Sequence, residues 1–178
     1  MKIKKTRFKD LLVISYDVKS DERGYFKETF RNNLLEKHIS YKIKFCQENY
    51  VFSKLNVCRG LHFQTGVHSQ SKLISIVKGK ILDIAADIRV DSETYGQYFA
   101  YELSSKKNES IFIPKGFAHG YLSLSPETII CYKVDNYYNP NAESGISYND
   151  DFLNVNWPIS QDEMIISEKD KGFNSFRW

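Results

Sequence analysis

The stretch LISIVKGKILDIAADI, residues 73–88, decides the fold. Two apolar runs, 73–77 and 81–88, flank Lys78-Gly79-Lys80. Each run has strand length, and neither shows the 3.6-residue spacing of an amphipathic helix. The central glycine supplies the backbone freedom that a tight strand-to-strand turn needs, so a hairpin turning at Gly79 is expected. Two charged residues interrupt the pattern, Lys72 at its start and Asp83 within its second run. In a hairpin they are neighbours. A charge inside an apolar strand needs a partner or a water-filled cavity. The pair is therefore either a structural ion pair or part of the wall of a site.

The same texture extends outward in both directions. Strand-like runs occupy 11–18, 25–30, 42–52, 57–63, 97–103, 110–113, 120–124 and 128–134. Breaks fall at 20–24, at Thr65-Gly66, at Pro114-Lys115-Gly116 and at Ser125-Pro126. The best short helix is 33–38. About ten short strands at close spacing, with almost no helical periodicity, predict an all-β sandwich or barrel. The stretch 136–178 is irregular and rich in Asn, Asp and Ser. It is expected to wrap the barrel rather than to form a second domain, which leaves one domain over 1–178.

Composition narrows the function classes. The 178 residues are 42% hydrophobic and 26% charged, so a core forms without disulfides or a structural metal. A net charge of +3 does not nominate nucleic acid as a partner. No apolar run approaches a membrane span, and no signal peptide is read after the basic first residues. Cys46, Cys58 and Cys131 are sparse and odd in number, which fits a reducing compartment; the cytoplasm is the default. Aromatic residues make up 15% of the chain, which suits either pleated surfaces or the stacking of a sugar or base.

Several polar groups sit where a bland core has none. Arg59-Gly60-Leu61-His62-Phe63-Gln64 carries Arg, His and Gln on an apolar strand. Taken alone, His62 is more often a satisfied core histidine than a catalyst. Arg59 and His62 are three apart and point to opposite faces of a regular strand. If both enter one site, Gly60 permits a kink or bulge. Gly116-Phe117-Ala118-His119-Gly120 follows a proline turn, and Tyr132-Lys133 ends an apolar run. A lone strand tyrosine such as Tyr132 is usually core packing. Asp21 to Glu28 reads as a polar hairpin turning at Gly24, and Ser167-Glu168-Lys169-Asp170 as a solvated charge run. The chain has no phosphate loop, no nucleophile elbow and no zinc helix. Among His38, His62, His68 and His119 no spacing signals a metal.

Together these blocks are similar to one family. The ordered set Asp21-x-Arg23-Gly24-x-Phe26-x-Glu28, Gln47-x-Asn49, Arg59-Gly60-Leu61-His62-Phe63-Gln64, Lys72-Leu73, Asp83, Asp87-Ile88-Arg89, Ser92-x-Thr94-Tyr95-Gly96, Pro114-x-Gly116-Phe117-Ala118-His119-Gly120, Tyr132-Lys133, Tyr138, Glu143 and Lys169-Asp170 resembles the dTDP-4-dehydrorhamnose 3,5-epimerases. The resemblance runs from about Asp21 to Asp170. It implies a cupin-type jelly roll (double-stranded β-helix), usually a homodimer. It also implies a nucleotide-sugar substrate, a 4-keto-6-deoxy sugar linked most naturally to dTDP, and chemistry with no metal or other cofactor. Cys58 and the loop Thr65-Gly66-Val67-His68-Ser69-Gln70 depart from the family pattern.

The resemblance also assigns roles. A C4 ketone acidifies the protons on C3 and C5, so inversion needs a base, an enolate stabiliser and an acid on the other face. His62 takes the place of the base, and Asp170 would orient it as the carboxylate does in a Ser-His-Asp triad. Lys72 stabilises the enolate oxygen, and Tyr132 is the acid. Arg23 and Arg59 suit a diphosphate. Phe26 and Tyr138 stack on the base, with Glu28, Gln47 and Asn49 as polar contacts. His119, Glu143 and Lys169 line the site, and Asp83 orients Lys72 or His62. The alternatives are a single-centre epimerase or keto-isomerase, a non-catalytic sugar-binding cupin, and a metal-dependent oxygenase.

Overall fold

A computed structural model describes residues 1–176; Arg177 and Trp178, the end of the expected wrapping tail, lie outside the described residues. Thirteen strands are present among them: β1 (Lys2–Lys5), β2 (Leu12–Ser15), β3 (Val18–Asp21), β4 (Gly24–Lys27), β5 (Gln47–Lys54), β6 (Cys58–Gln64), β7 (Lys72–Lys78), β8 (Lys80–Asp87), β9 (Tyr98–Ser104), β10 (Glu109–Ile113), β11 (Phe117–Ser123), β12 (Glu127–Val134) and β13 (Glu143–Gly145). Two single-turn helices, α1 (Asn32–Leu35) and α2 (Glu168–Lys171), complete the regular structure with three 3₁₀ turns. The expected helix at 33–38 is shorter than its pattern, and the expected strand at 42–52 begins only at Gln47.

Two antiparallel sheets face each other. One has the order β1-β2-β10-β7-β12-β5 and the other β13-β6-β11-β8-β9; β3 and β4 form a separate hairpin. The expected all-β jelly roll is the architecture found. The expected hairpin at Gly79 is not. β7 pairs with β10 and β12 in the first sheet, whereas β8 pairs with β11 and β9 in the second. Gly79, at φ +85°, carries the chain across the interior from one sheet to the other. A side chain there would meet the Glu127 carbonyl at 2.5 Å, so only glycine fits. A Lys-Gly-Lys corner serves either geometry, and the apolar runs beside it cannot tell a pairing partner from an opposing wall.

Three apolar layers hold this arrangement. Between the sheets, Ile74, Ile76, Ile111 and Ile130 pack against Ile81, Ala85, Leu103 and Phe117. Outside the first sheet, Leu12, Ile14, Leu73 and Phe112 are covered by Leu35, Ile39 and Ile43. Outside the second, Leu61, Ile84, Ala86 and Ala118 are covered by Ile146 and Leu153, with Trp157 alongside. The tail thus lies on the second sheet, as its irregular composition led us to expect. Strands covered on both faces lose the in–out alternation, and every residue of β11 is buried. Burying each of the leucine and isoleucine side chains contributes about 1.5–3 kcal/mol.

Candidate active site

The site begins with a fault in strand register. His62 on β6 lies opposite His119 on β11, and Arg59 lies opposite Tyr121, so Gly60 and Leu61 together face the single residue Gly120. The extra residue is a β-bulge, which turns the strand over locally. Gly60 sits at φ +106°, and a Cβ there would meet Gly120 Cα and the His119 carbonyl, each at 2.6 Å. The Gly60–Leu61 peptide is cis. Arg59 and His62, which a regular strand would separate, consequently line one cavity of about 240 Å³.

Each histidine of the cavity is backed by a buried carboxylate. His62 Nε2 is 2.8 Å from Asp170 Oδ1, and the Gly60 N–H donates to Asp170 Oδ2 at 3.1 Å. Asp170 is delivered by α2, whose Ser167 side chain caps the helix by accepting from the Asp170 N–H. Burial alone would push the Asp170 carboxyl up. The hydrogen bonds from His62 and Gly60 outweigh it and hold the group below the usual carboxylate range. The His62 ring also meets Phe173 edge-on, with centroids 5.5 Å apart. His119 Nε2 is 2.8 Å from Asp83 Oδ2 on the neighbouring strand β8. Burial lowers the His119 imidazole, and the Asp83 charge opposes that shift.

The opposite wall comes from the first sheet. Tyr132 on β12 stands beside Asn49 on β5. Burial raises its phenol above the ordinary value, while the Arg59 charge pulls the other way. Lys72, at the start of β7, reaches across the interior and donates from Nζ to the His62 carbonyl at 3.3 Å. Loss of water around the Lys72 amine lowers it to about 8, against raising effects of Asp83 and Glu143. At the mouth, Glu143 accepts from Tyr138 Oη and lies 2.6 Å from Lys169 Nζ. Gln47 supports this corner by accepting from the Tyr138 N–H at 3.1 Å.

Arg59, His62, Lys72, His119, Tyr132, Tyr138 and Glu143 all line the cavity. Asp83 and Asp170 stand behind its histidines, Lys169 and Gln47 behind its mouth, and Asn49 beside Tyr132. Arg23, Phe26 and Glu28 are not brought to it. They belong to the β3–β4 hairpin, where Arg23 pairs with Asp21, Phe26 is 68% exposed and Glu28 pairs with Arg31. Tyr25 and Lys27 of that hairpin share a groove with Glu48, Tyr50, Cys131 and Lys133. Those four project from the outer side of β5 and β12, away from Tyr132 and Val51. Val51, Phe63, Gln70 and Tyr121 also line the cavity, and sequence reasoning passed over them. Tyr121 and Phe173 look like ordinary core aromatics; only the bulge and the course of the tail aim them here.

The arrangement suits proton abstraction next to a carbonyl. A carboxylate-oriented imidazole on one wall and a protonated phenol on the other can work on opposite faces of a flat intermediate. Between them an amine near the carbonyl oxygen stabilises an enolate.

Comparison with known proteins points the same way. The family profile described as dTDP-4-dehydrorhamnose 3,5-epimerase matches residues 5–177. The chain is 42% identical over 157 residues to the dTDP-4-dehydrorhamnose 3,5-epimerase of Salmonella typhimurium, covering 88% of this chain and 86% of the relative. A crystal structure of the same-named enzyme from Elizabethkingia anophelis superposes with a TM-score of 0.94 at 40% identity, covering 99% of this chain and 96% of that one. A dTDP-6-deoxy-D-glucose-3,5-epimerase from Legionella pneumophila, solved in complex with dTDP-4-keto-L-rhamnose, superposes at 0.92 with 36% identity, covering 98% and 92%. On these matches, the chain belongs to the dTDP-4-dehydrorhamnose 3,5-epimerase family.

Proposed function

We propose that this protein inverts C3 and C5 of a dTDP-linked 4-keto-6-deoxy sugar through enolate intermediates. The observation that carries the reading is His62 and Tyr132 on facing walls of one cavity, with Lys72 reaching between them. His62, oriented by Asp170, removes the proton α to the ketone. Lys72 holds the charge that develops on the C4 oxygen. Tyr132, kept protonated by burial, returns a proton from the other face. Arg59 is placed for the diphosphate, with His119, Glu143 and Lys169 around the sugar, Asp83 behind them, and Gln47, Asn49 and Tyr138 toward the nucleoside. No step requires a metal or other cofactor, and residues 1–178 act as one domain. The three cysteines are free thiols, which supports a cytoplasmic setting. No helix among the described residues is long and apolar enough to cross a membrane.

The working unit in this reading is a homodimer. Tyr50, Phe52 and Val77 leave an apolar strip on the outer side of the first sheet, 65%, 53% and 52% exposed. The β3–β4 hairpin lies against that same side, so its Arg23, Phe26 and Glu28 cannot serve the cavity of their own chain. A second copy docked on the strip would receive them, and they would then meet its nucleotide.

The test is incubation with dTDP-4-keto-6-deoxyglucose in deuterated water. Label at both C3 and C5 is expected. Label at one carbon alone makes the protein a single-centre epimerase, and binding without label makes it a sugar-binding protein.

A further inference from the structure

Asp170 fixes one atom of the His62 ring, Nε2, at 2.8 Å. One hydrogen bond does not fix a plane. The last torsion of a histidine side chain is soft, so a ring held at a single atom still swivels about it. Nδ1, the nitrogen left to take a proton, swings with the ring, and a misplacement of about 1 Å costs on the order of 10²-fold in rate. A second contact is needed, away from Nε2. The tail supplies one. Three residues beyond Asp170, the Phe173 ring meets the imidazole edge-on, with 5.5 Å between centroids and 69° between planes. Gly145 on β13 makes the seat for that ring. It is the cross-strand partner of His62, and such partners project to the same side of a sheet. A Cβ on Gly145 would lie 2.5–2.6 Å from three carbons of the Phe173 ring, so the phenyl fills the space that a side chain at 145 would take. The backbone around this contact is tied down. The Ser147 N–H donates to the Asn174 carbonyl at 3.1 Å, and Leu61 and Ile146 exchange N–H···O bonds at 3.2 and 2.9 Å.

We propose that Phe173 is a positioning residue for His62: seated against the bare Cα of Gly145, its ring holds the plane of the imidazole while Asp170 holds Nε2, which keeps Nδ1 aimed at the proton to be removed. This rests on the epimerase reading for His62 as the base. One short segment, 170–173, thereby grips the imidazole at two points, with a carboxylate on one nitrogen and a phenyl against the ring. Gly145 belongs to the same device, since only a residue without a side chain admits the phenyl there.

The test uses two variants and their combination. Phe173→Ala removes the ring. Gly145→Ala displaces it from the other side: Gly145 does not have a positive φ, so its backbone accepts a side chain, and the new methyl has only to push the end of the Phe173 side chain away. Each is expected to lower kcat for deuterium exchange by about 10–100-fold with KM within about twofold. The double variant should be no slower than Phe173→Ala, because without the phenyl the methyl meets nothing. NMR of ¹⁵N-histidine-labelled protein gives a second readout without substrate, the His62 signals being assigned by their loss in His62→Ala. At alkaline pH, where imidazole is neutral, the wild-type ring is expected as the Nε2–H tautomer, whose proton Asp170 accepts. In both variants the two nitrogen shifts should draw together as the ring samples the other tautomer. Unchanged shifts or an unchanged kcat in either variant overturn the proposal. So do losses that multiply in the double variant, which mean two separate packing faults, and a raised KM at constant kcat, which places the ring on the substrate instead. Should Phe173→Ala fail to fold, Gly145→Ala decides alone. Wild-type protein that exchanges no label would sink the epimerase reading, and the tautomer comparison would still decide what Phe173 does to His62.

Discussion

At the scale of single residues, the chemistry depends on which protonation states burial permits. Lys72 is driven down to about 8, so its charge is full below that value and is lost as pH rises through it. Activity should therefore fall on the alkaline side near pH 8. Lys72→Arg, whose guanidinium stays charged, should flatten that limb in a pH–rate series. Asp170→Asn should keep the bond from the Gly60 N–H but present an amide N–H₂ to His62. The imidazole is then forced into the wrong tautomer, and kcat should drop on the order of 10²–10⁴-fold with the fold intact by circular dichroism. His62→Ala should abolish exchange at both carbons. Tyr132→Phe should retain substrate binding by calorimetry and lose reprotonation by about 10²–10⁴-fold.

At the scale of elements, two local devices hold the histidines in place. The first is the bulge. Gly60→Ala drives a methyl into the backbone of β11 at a positive φ, and should cost about 3 kcal/mol in a denaturant melt while misplacing His62. The second is the Asp87 knot at the end of β8, opposite Phe117 at the start of β11. Asp87 accepts from the Arg89 guanidinium, from Ser92 Oγ and from Thr94 Oγ1, each at 2.6 Å, and Arg89 lies over the Phe117 ring. Burial raises Asp87, but these bonds outweigh it and leave the carboxyl depressed. Its stabilising effect is present above the unfolded value near 4 and is lost as pH falls through the lower folded value. Asp87→Asn should destabilise by about 2–4 kcal/mol at pH 7 and remove part of the acid sensitivity of the thermal midpoint.

Elements also show where sequence stops being legible. The strand runs were readable because apolar, β-branched segments between Gly and Pro breaks have few other uses. The blocks around Arg59, His119 and Tyr132 were readable as chemistry only together, through their order and their resemblance to one family, because each polar group taken singly had an ordinary core or turn explanation. Sheet membership was not readable: β7 and β8 carry the same pattern whether they pair or face each other. β1 escaped because four residues with three lysines look like a solvated tail, and β13 because three small or charged residues carry no signal. Arg23, Phe26 and Glu28 were read as part of one site because sequence order says nothing about which side of a sheet a hairpin leans on.

At the scale of the whole molecule, the proposed dimer can be checked by function as well as by size. Light scattering should give twice the chain mass. Arg23→Ala and His62→Ala proteins, each weak alone, should recover up to about a quarter of wild-type activity per dimer on mixing and subunit exchange, since one of the two cavities can then combine an intact arm with an intact base. No recovery despite confirmed exchange would confine each arm to its own chain. Treatment with a chelator should leave exchange unchanged, and a loss restored by added metal would favour the oxygenase-like alternative.

The crossing at Gly79 has one more effect. Since neighbours in sequence become opposing walls, the hydrogen-bonded partners are supplied from far along the chain: β6 waits for β11, β2 for β10, β5 for β12. Such long-range topology folds slowly, because distant segments must meet before any ladder is rewarded. His62, moreover, is synthesised 108 residues before the carboxylate that orients it. A chain still emerging from the ribosome thus carries its base early and idle, and becomes a catalyst only when α2 arrives.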